Sequence, residues 1–180
     1  MSESHKLLKA THFAAEKHRN QRRKDAAETP YINHPIAVAE TLRIHGVMDE
    51  DILVAALLHD TIEDTDTTAR EISEVFGKGV LELVLEMTDD KSLPKLQRKE
   101  LQMEHASQLS KGARLIKLSD KICNVRDITH SPPSNWPLER LLQYVDWCEA
   151  VVENMNEADA ALKALFEQVC KEAREQFNHH

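Results

Sequence analysis

The chain predicts an all-α fold, and three observations carry that prediction. The helix formers Ala, Leu, Glu, Lys and Gln are abundant among its 180 residues. Four glycines and six prolines are too few for a turn-rich β architecture. Apolar residues recur at helical spacing, and no strand-like alternation of useful length interrupts them. A chain of this length is expected to form a single helical domain over 1–180 and to bury a core without staples. Aromatics make up 4% of the residues, so that core should be mostly Leu, Ile, Val and Ala.

The first helix is expected from about Ser4 to Arg22, with Leu7, Leu8, Phe13 and Ala14 as its apolar stripe. It ends in the basic run Arg19, Arg22, Arg23, Lys24, where positive charge suits a helix C-terminus. A loop from Asp25 to Asn33 follows. Pro35 fits the first turn of a second helix, about His34 to Ile44, which Gly46 ends. Asp49 or Asp51 can cap the next helix, which reaches about His59–Asp60. Thr68 and Glu71 form a capping box for a short helix ending at Phe76–Gly77. Lys78 to Glu86 is helical, and Asp89 to Ser92 is a polar loop. Pro94 starts a charged helix to about Leu109, and Lys111–Gly112 reads as a hinge before a helix over Ala113 to Asp127. Ser131 to Asn135 is a loop. A helix from Trp136 or Pro137 to about Met155 and a last one from about Glu157 to Phe177 complete the chain. These elements predict a helical bundle without a regular four-helix repeat.

The net charge is −8, from 23 basic and 31 acidic residues. That argues against duplex DNA or an anionic membrane as the main partner but leaves room for a small anionic ligand. No apolar stretch is long enough to cross a bilayer, and no signal-peptide pattern opens the chain. Cys123, Cys148 and Cys170 match neither a zinc motif nor a disulfide framework, so reduced thiols in a cytoplasmic protein are expected. His179–His180 has the look of a tag remnant and receives no functional weight. Self-association as a homo-oligomer is left open.

The chemistry-bearing residues cluster. His59–Asp60 closes the apolar run Ile52 to Leu58, and Glu63–Asp64 stand one helical turn further on. His34 supplies a second polar position. A third is Lys117–Leu118–Ser119–Asp120–Lys121, where Leu115, Leu118, Ile122 and Val125 mark a buried stripe. Lys117, Asp120, Lys121 and Asn124 there form a polar wall on another face. Two histidines and two aspartates from separate segments can make a divalent metal site, and a mixed nitrogen and oxygen set suits manganese, iron or zinc. On a continuous helix, neighbours point about 100° apart, so His59 and Asp60 reach one metal most easily at a helix end. Each motif also has a plain structural reading. His34 before a proline can be a cap, and the acidic stretch Asp60 to Asp66 can be a solvated turn. That stretch lacks the glycine of a calcium loop. The wall at Lys117 to Asp127 can be an ion-paired helix face.

The set His34, His59–Asp60 and Asp120 resembles the H…HD…D pattern of the HD-domain metal-dependent phosphohydrolases. Arg23–Lys24, Thr29 to Pro35, Ala56 to Thr65, Thr88 to Lys91 and Leu118 to Asp127 extend the resemblance. They are similar to the guanosine tetraphosphate (ppGpp) hydrolase domain of the RelA/SpoT proteins, and most of all to the stand-alone metazoan SpoT homologues (the Mesh1 family). The likeness covers about Leu7 to Phe166. It implies a helical HD fold that binds one Mn²⁺ through His34, His59, Asp60 and Asp120. It further implies hydrolysis of ppGpp to GDP and pyrophosphate. No segment resembles the synthetase, TGS or ACT domains of the long enzymes, so a hydrolase alone is expected. The long members carry Arg-Lys-Ser-Gly where this chain has Arg23–Lys24–Asp25–Ala26. Trp136, Arg140 and Tyr144 match positions near the ligand in animal members that also resemble NADPH phosphatases.

Roles follow from charge. Glu63 and Asp64 are the candidates to orient a water and take its proton. Arg23, Lys24, Lys95, Lys99 and Arg140 are the candidate phosphate-holding cations. Asn124 can point into the same cleft, and Trp136 and Tyr144 either pack against a base or close the core. The leading expectation is a ppGpp 3′-pyrophosphohydrolase. The alternatives are an NADPH 2′-phosphatase or related nucleotide phosphatase and, more remotely, a nucleotide-binding module without catalysis. That last reading gives Glu63 and Asp64 no work.

Overall fold

A computed structural model describes residues 3–178; His179 and His180 lie outside them. The described residues form α1 (Glu3–Lys17), α2 (Asn33–Ile44), α3 (Glu50–Leu58), α4 (Thr61–Asp64), α5 (Ala69–Phe76), α6 (Lys78–Met87), α7 (Lys95–His105), α8 (Lys111–His130), α9 (Leu138–Glu153) and α10 (Ala160–Asn178). A single 3₁₀ turn, Ala106–Gln108, follows α7. Among the described residues there is no strand, only the isolated bridges Arg22–Pro30 and Asp25–Pro133. The all-α expectation holds. No helix of the described residues is long and apolar enough to cross a membrane.

Helix α8 is the axis of the molecule. Helices α2, α3, α6, α9 and α10 all pack on it. Ile116, Leu118, Ile122, Val125 and Ile128 are buried there, and so are Lys117, Ser119, Asp120 and Lys121. The expected polar wall is therefore interior, whereas Leu115 in the expected apolar stripe is only half-buried. A helix surrounded on all sides loses the one-sided pattern that periodicity detects. Helix α10 seals one flank through Leu162, Phe166, Val169, Ala173 and Phe177.

Local signals were read correctly where side chains cap the backbone. Asp49 accepts from the backbone N–H groups of Asp51 and Ile52. Thr68 and Glu71 make the reciprocal capping box. Ser110, not among the expected caps, accepts from Ala113 N and starts α8 at Lys111 rather than Ala113. Gly112 is no hinge: it lies in the first turn of α8, where a Cβ would come within 2.8 Å of Leu83 Cδ2. Glycine there admits close packing of α8 on α6.

Helix α1 stops at Lys17, short of Arg22, because the following chain folds back on itself. Arg23 N donates to Thr29 O at 2.8 Å, and Tyr31 N to Gln21 O at 3.1 Å. Ala14 is buried as expected, but Leu8 is 69% exposed, and Ala10 is buried in its place. The last helix begins at Ala160, after Glu157 adopts a positive φ of 49°.

Candidate active site and metal centre

Four segments converge beside α8. The fold-back after α1 delivers Tyr31 and sets His34 at the start of α2, where His34 N donates to Tyr31 O at 2.9 Å. Helix α3 ends at Leu58 because the Thr61 hydroxyl donates to Leu58 O at 2.7 Å, competing with the helical ladder. The chain is thus redirected at His59–Asp60, and α4 carries Glu63 and Asp64 past the same point. Asp120 and Asn124 project from one face of α8, one turn apart.

Donor atoms of His34, His59 and Asp120 all lie within 4.8 Å of one another, and all three residues are buried. His34 Nε2 is 3.0 Å from Asp120 Oδ1. His59 Nδ1 donates to Ala56 O at 2.7 Å, which aims Nε2 at the cluster. That nitrogen is buried without a well-formed hydrogen bond, although Asp60 Oδ2 stands 3.0 Å away. Asp60 lies outside the group of three, and its Oδ2 accepts from the Tyr31 hydroxyl. Burial by itself would lower the His59 pKa, but the Asp60 and Asp120 carboxylates outweigh it and hold the ring well above its ordinary value. Burial pushes Asp120 the other way, yet the Lys121 ammonium and the two imidazoles keep it well below the carboxylate range. Concentrated imidazole and carboxylate donors around an underbonded nitrogen fit a divalent cation. The His–His–Asp triad is the metal-binding element of the site.

The neighbouring carboxylates differ. Glu63 Oε2 accepts from Asp89 N at 2.9 Å, and burial, with help from the nearby acids, raises its pKa to about 7. Asp64 accepts from Gln21 Nε2 at 2.9 Å and from the Lys91 ammonium. Gln21 Oε1 in turn accepts from the buried His18 at 2.6 Å.

The triad lines a pocket of about 190 Å³ with Glu63, Asp64, Asn124 and Tyr144. Asp64, Asn124 and Tyr144 also line a larger cavity of about 750 Å³, which Arg23, Lys24, Lys95 and Trp136 border. Lys95, Trp136 and Tyr144 border in turn an outer recess of about 340 Å³ with Lys99 and Arg140. The three form one cleft, with cations toward its mouth and acids at its base. Burial and the positive charge of Arg140, Lys24 and Arg98 lower the Lys95 pKa, and an anionic ligand would relieve that repulsion. A small nucleotide fits this arrangement.

Residues 10–145 match the family model described as an HD domain. The chain is 51% identical over 172 residues to the human guanosine-3′,5′-bis(diphosphate) 3′-pyrophosphohydrolase MESH1, covering 93% of this chain and 96% of that protein. It is 45% identical to the Drosophila melanogaster protein of the same name, covering 94% and 95%. This chain belongs to the MESH1 family of HD-domain proteins. A solved structure of a metazoan orthologue of SpoT, which hydrolyzes ppGpp and plays a role in starvation responses, superposes with a TM-score of 0.89. That comparison has 45% identity and covers 92% of this chain and 94% of the other.

In this MESH1-family fold every expected site residue borders the cleft. Several are already engaged by neighbours. Arg23 Nη2 donates to Asp127 Oδ2 at 2.6 Å and to Asn124 Oδ1 at 3.1 Å. Asn124 Nδ2 donates to Asp120 Oδ1 at 2.7 Å, so its amide is used at both ends. Lys99 Nζ sits 4.6 Å from the Trp147 ring centroid, and Arg140 lies 4.3 Å over Trp136. Asp25 is drawn into its own loop, accepting from Thr29 N and Thr29 Oγ1. Sequence reasoning missed Tyr31, Gln21, Asp89, Gln102 and Trp147. Tyr31 lay inside the quoted motif and was available as a signal. Gln102 and Trp147 reach the cleft only through packing of α7 and α9, which no local pattern reports.

Proposed function

We propose that this chain, acting over 1–180 as one HD-type hydrolase domain, hydrolyses the 3′-pyrophosphate of ppGpp to GDP and pyrophosphate with Mn²⁺. One observation carries the reading: the convergent His34, His59 and Asp120 donors at the base of a cation-lined cleft, with Glu63 beside them. Family membership with named ppGpp pyrophosphohydrolases supports it. Asp60, next to His59 Nε2, completes the ligand set in this reading, and Mn²⁺ suits its mixed imidazole and carboxylate character. Three buried, unpaired thiols agree with a cytoplasmic enzyme. Neither DNA nor a membrane has a part in it.

A divalent cation held there neutralises phosphoryl charge and acidifies a water. The protein does the rest. Glu63, whose pKa burial raises to about 7, takes the proton of a water directed at the phosphorus on the 3′ oxygen. The bond from that phosphorus to the 3′ oxygen breaks, the oxygen regains a proton, and pyrophosphate departs. Asp64, neutralised by Lys91, orients the water. Lys24, Lys95, Lys99 and Arg140 hold the remaining phosphates, Arg23 and Asn124 line the passage, and Trp136 and Tyr144 face the base.

Purified protein with Mn²⁺ should convert ppGpp to GDP and pyrophosphate, and chelator should stop it. Release of single orthophosphates from ppGpp would overturn the assignment. A second reading, an NADPH 2′-phosphatase, is favoured by the Trp136–Arg140–Tyr144 cluster, whose Trp136 and Tyr144 ring centroids are 5.5 Å apart. Side-by-side kcat/KM values for ppGpp and NADPH decide between the two.

A further inference from the structure

Behind the metal centre lies a second chamber of about 230 Å³. It shares Asp89, Gln102 and Lys117 with the pocket of the triad. Lys117 is 5% exposed. Its neighbour Lys121 has partners, Gln102 Oε1 at 3.1 Å and Asp120 Oδ2 at 3.5 Å. Lys117 makes no hydrogen bond or ion pair with any described residue. Across the chamber, Arg98 Nε is buried without a partner, and its Nη1 is 3.7 Å from Glu63 Oε1, beyond hydrogen-bond reach. Each of the chamber's carboxylates has a donor of its own: Asp89 accepts from Gln102 Nε2 at 2.6 Å, Glu86 from Ser110 N at 2.7 Å, and Asp90 from Ser92 N at 2.9 Å. Lys117 and Arg98 Nε are donors of this chamber without an acceptor. Both side chains line the chamber with donor capacity to spare, so the arrangement points to an anion that comes and goes.

We propose that this chamber seats the terminal phosphate of the diphosphate being removed, with Lys117 at its threshold and Arg98 on the opposite wall. The inference rests on the ppGpp reading above. Lys117 stands one turn before Asp120 on α8, so it faces the centre from the side away from the outer cleft. A nucleotide entering through that cleft places its scissile phosphorus at the triad. The next phosphate then meets Lys117. A monophosphate at the triad would not reach the chamber, so Lys117 distinguishes a diphosphate from a single phosphate.

Titration calorimetry of the Mn²⁺-loaded protein with inorganic pyrophosphate and with orthophosphate tests this, using wild type and Lys117→Met. Pyrophosphate affinity should fall about tenfold or more in the variant, the weight of a charge-assisted hydrogen bond. Orthophosphate affinity should change less than about twofold by the same principle. Melting temperature should not fall, because methionine fills the site without a buried charge. Unchanged pyrophosphate affinity, or equal losses for both anions, would overturn the proposal. A variant that melts well below wild type would do so too, since Lys117 would then be structural. If wild type fails to hydrolyse ppGpp, the proposed function falls, whereas the binding comparison still reports on the chamber. Hydrolysis of ppGpp by a protein whose pyrophosphate binding ignores Lys117 would leave the function standing and sink the chamber.

Discussion

His34 and Asp120 are 86 residues apart in the chain, yet His34 Nε2 meets Asp120 Oδ1 at 3.0 Å. Helix α2 carries one and α8 the other, and packing of those helices on each other closes the metal centre. Asp120 also takes the amide of Asn124, so the carboxylate is oriented before any ligand arrives.

Asp120→Ala should therefore abolish metal binding and activity together while α8 persists, since alanine is a good helix former. Metal analysis of the folded variant checks this. Full manganese occupancy would mean that Asp120 is not a ligand.

Glu63→Gln should keep the metal and lower kcat by about 10²- to 10⁴-fold, the range of a positioned proton acceptor. The variant also has a pH signature in the metal-free protein. Burial raises the Glu63 pKa to about 7, so folding favours its protonated form. The wild type's stability relative to the variant should be greatest below the ordinary carboxylate range. It should decline as pH rises through about 7, where the buried carboxylate ionises. Denaturant midpoints of both proteins across that window give the difference. A kcat equal to wild type would transfer the proton-accepting role to Asp64.

Tyr31→Phe removes the hydroxyl that donates to Asp60. Loss of such a supporting bond should weaken metal affinity by roughly 10- to 100-fold. Competition against a fluorescent chelator measures it, and an undiminished affinity would show that Asp60 needs no support from Tyr31.

Lys95→Ala should act on holding rather than on chemistry. Lys95 borders both outer cavities but not the pocket that all three triad residues line. KM for ppGpp should rise about tenfold, with kcat little altered, as expected for a contact equally good in ground and transition states. A fall in kcat at constant KM would place Lys95 at the reacting phosphate.

The amino-acid sequence by itself determined the helical class, the caps at Asp49 and Thr68, and the motif set around His34, His59 and Asp120. Those features are local: a cap lies within one turn of the groups it satisfies, and a motif is a run of neighbours. Only the tertiary structure decided that Lys117, Asp120 and Lys121 are interior rather than on a solvated face. Their burial depends on five helices closing around α8, and helical periodicity has no contrast on a helix covered all round. The unequal environments of Glu63 and Asp64 were likewise invisible in two adjacent acids. Glu63 is shielded and meets the backbone of Asp89, whereas Asp64 meets Gln21 and Lys91. Those partners arrive from distant segments, and they set how readily each carboxyl group holds a proton.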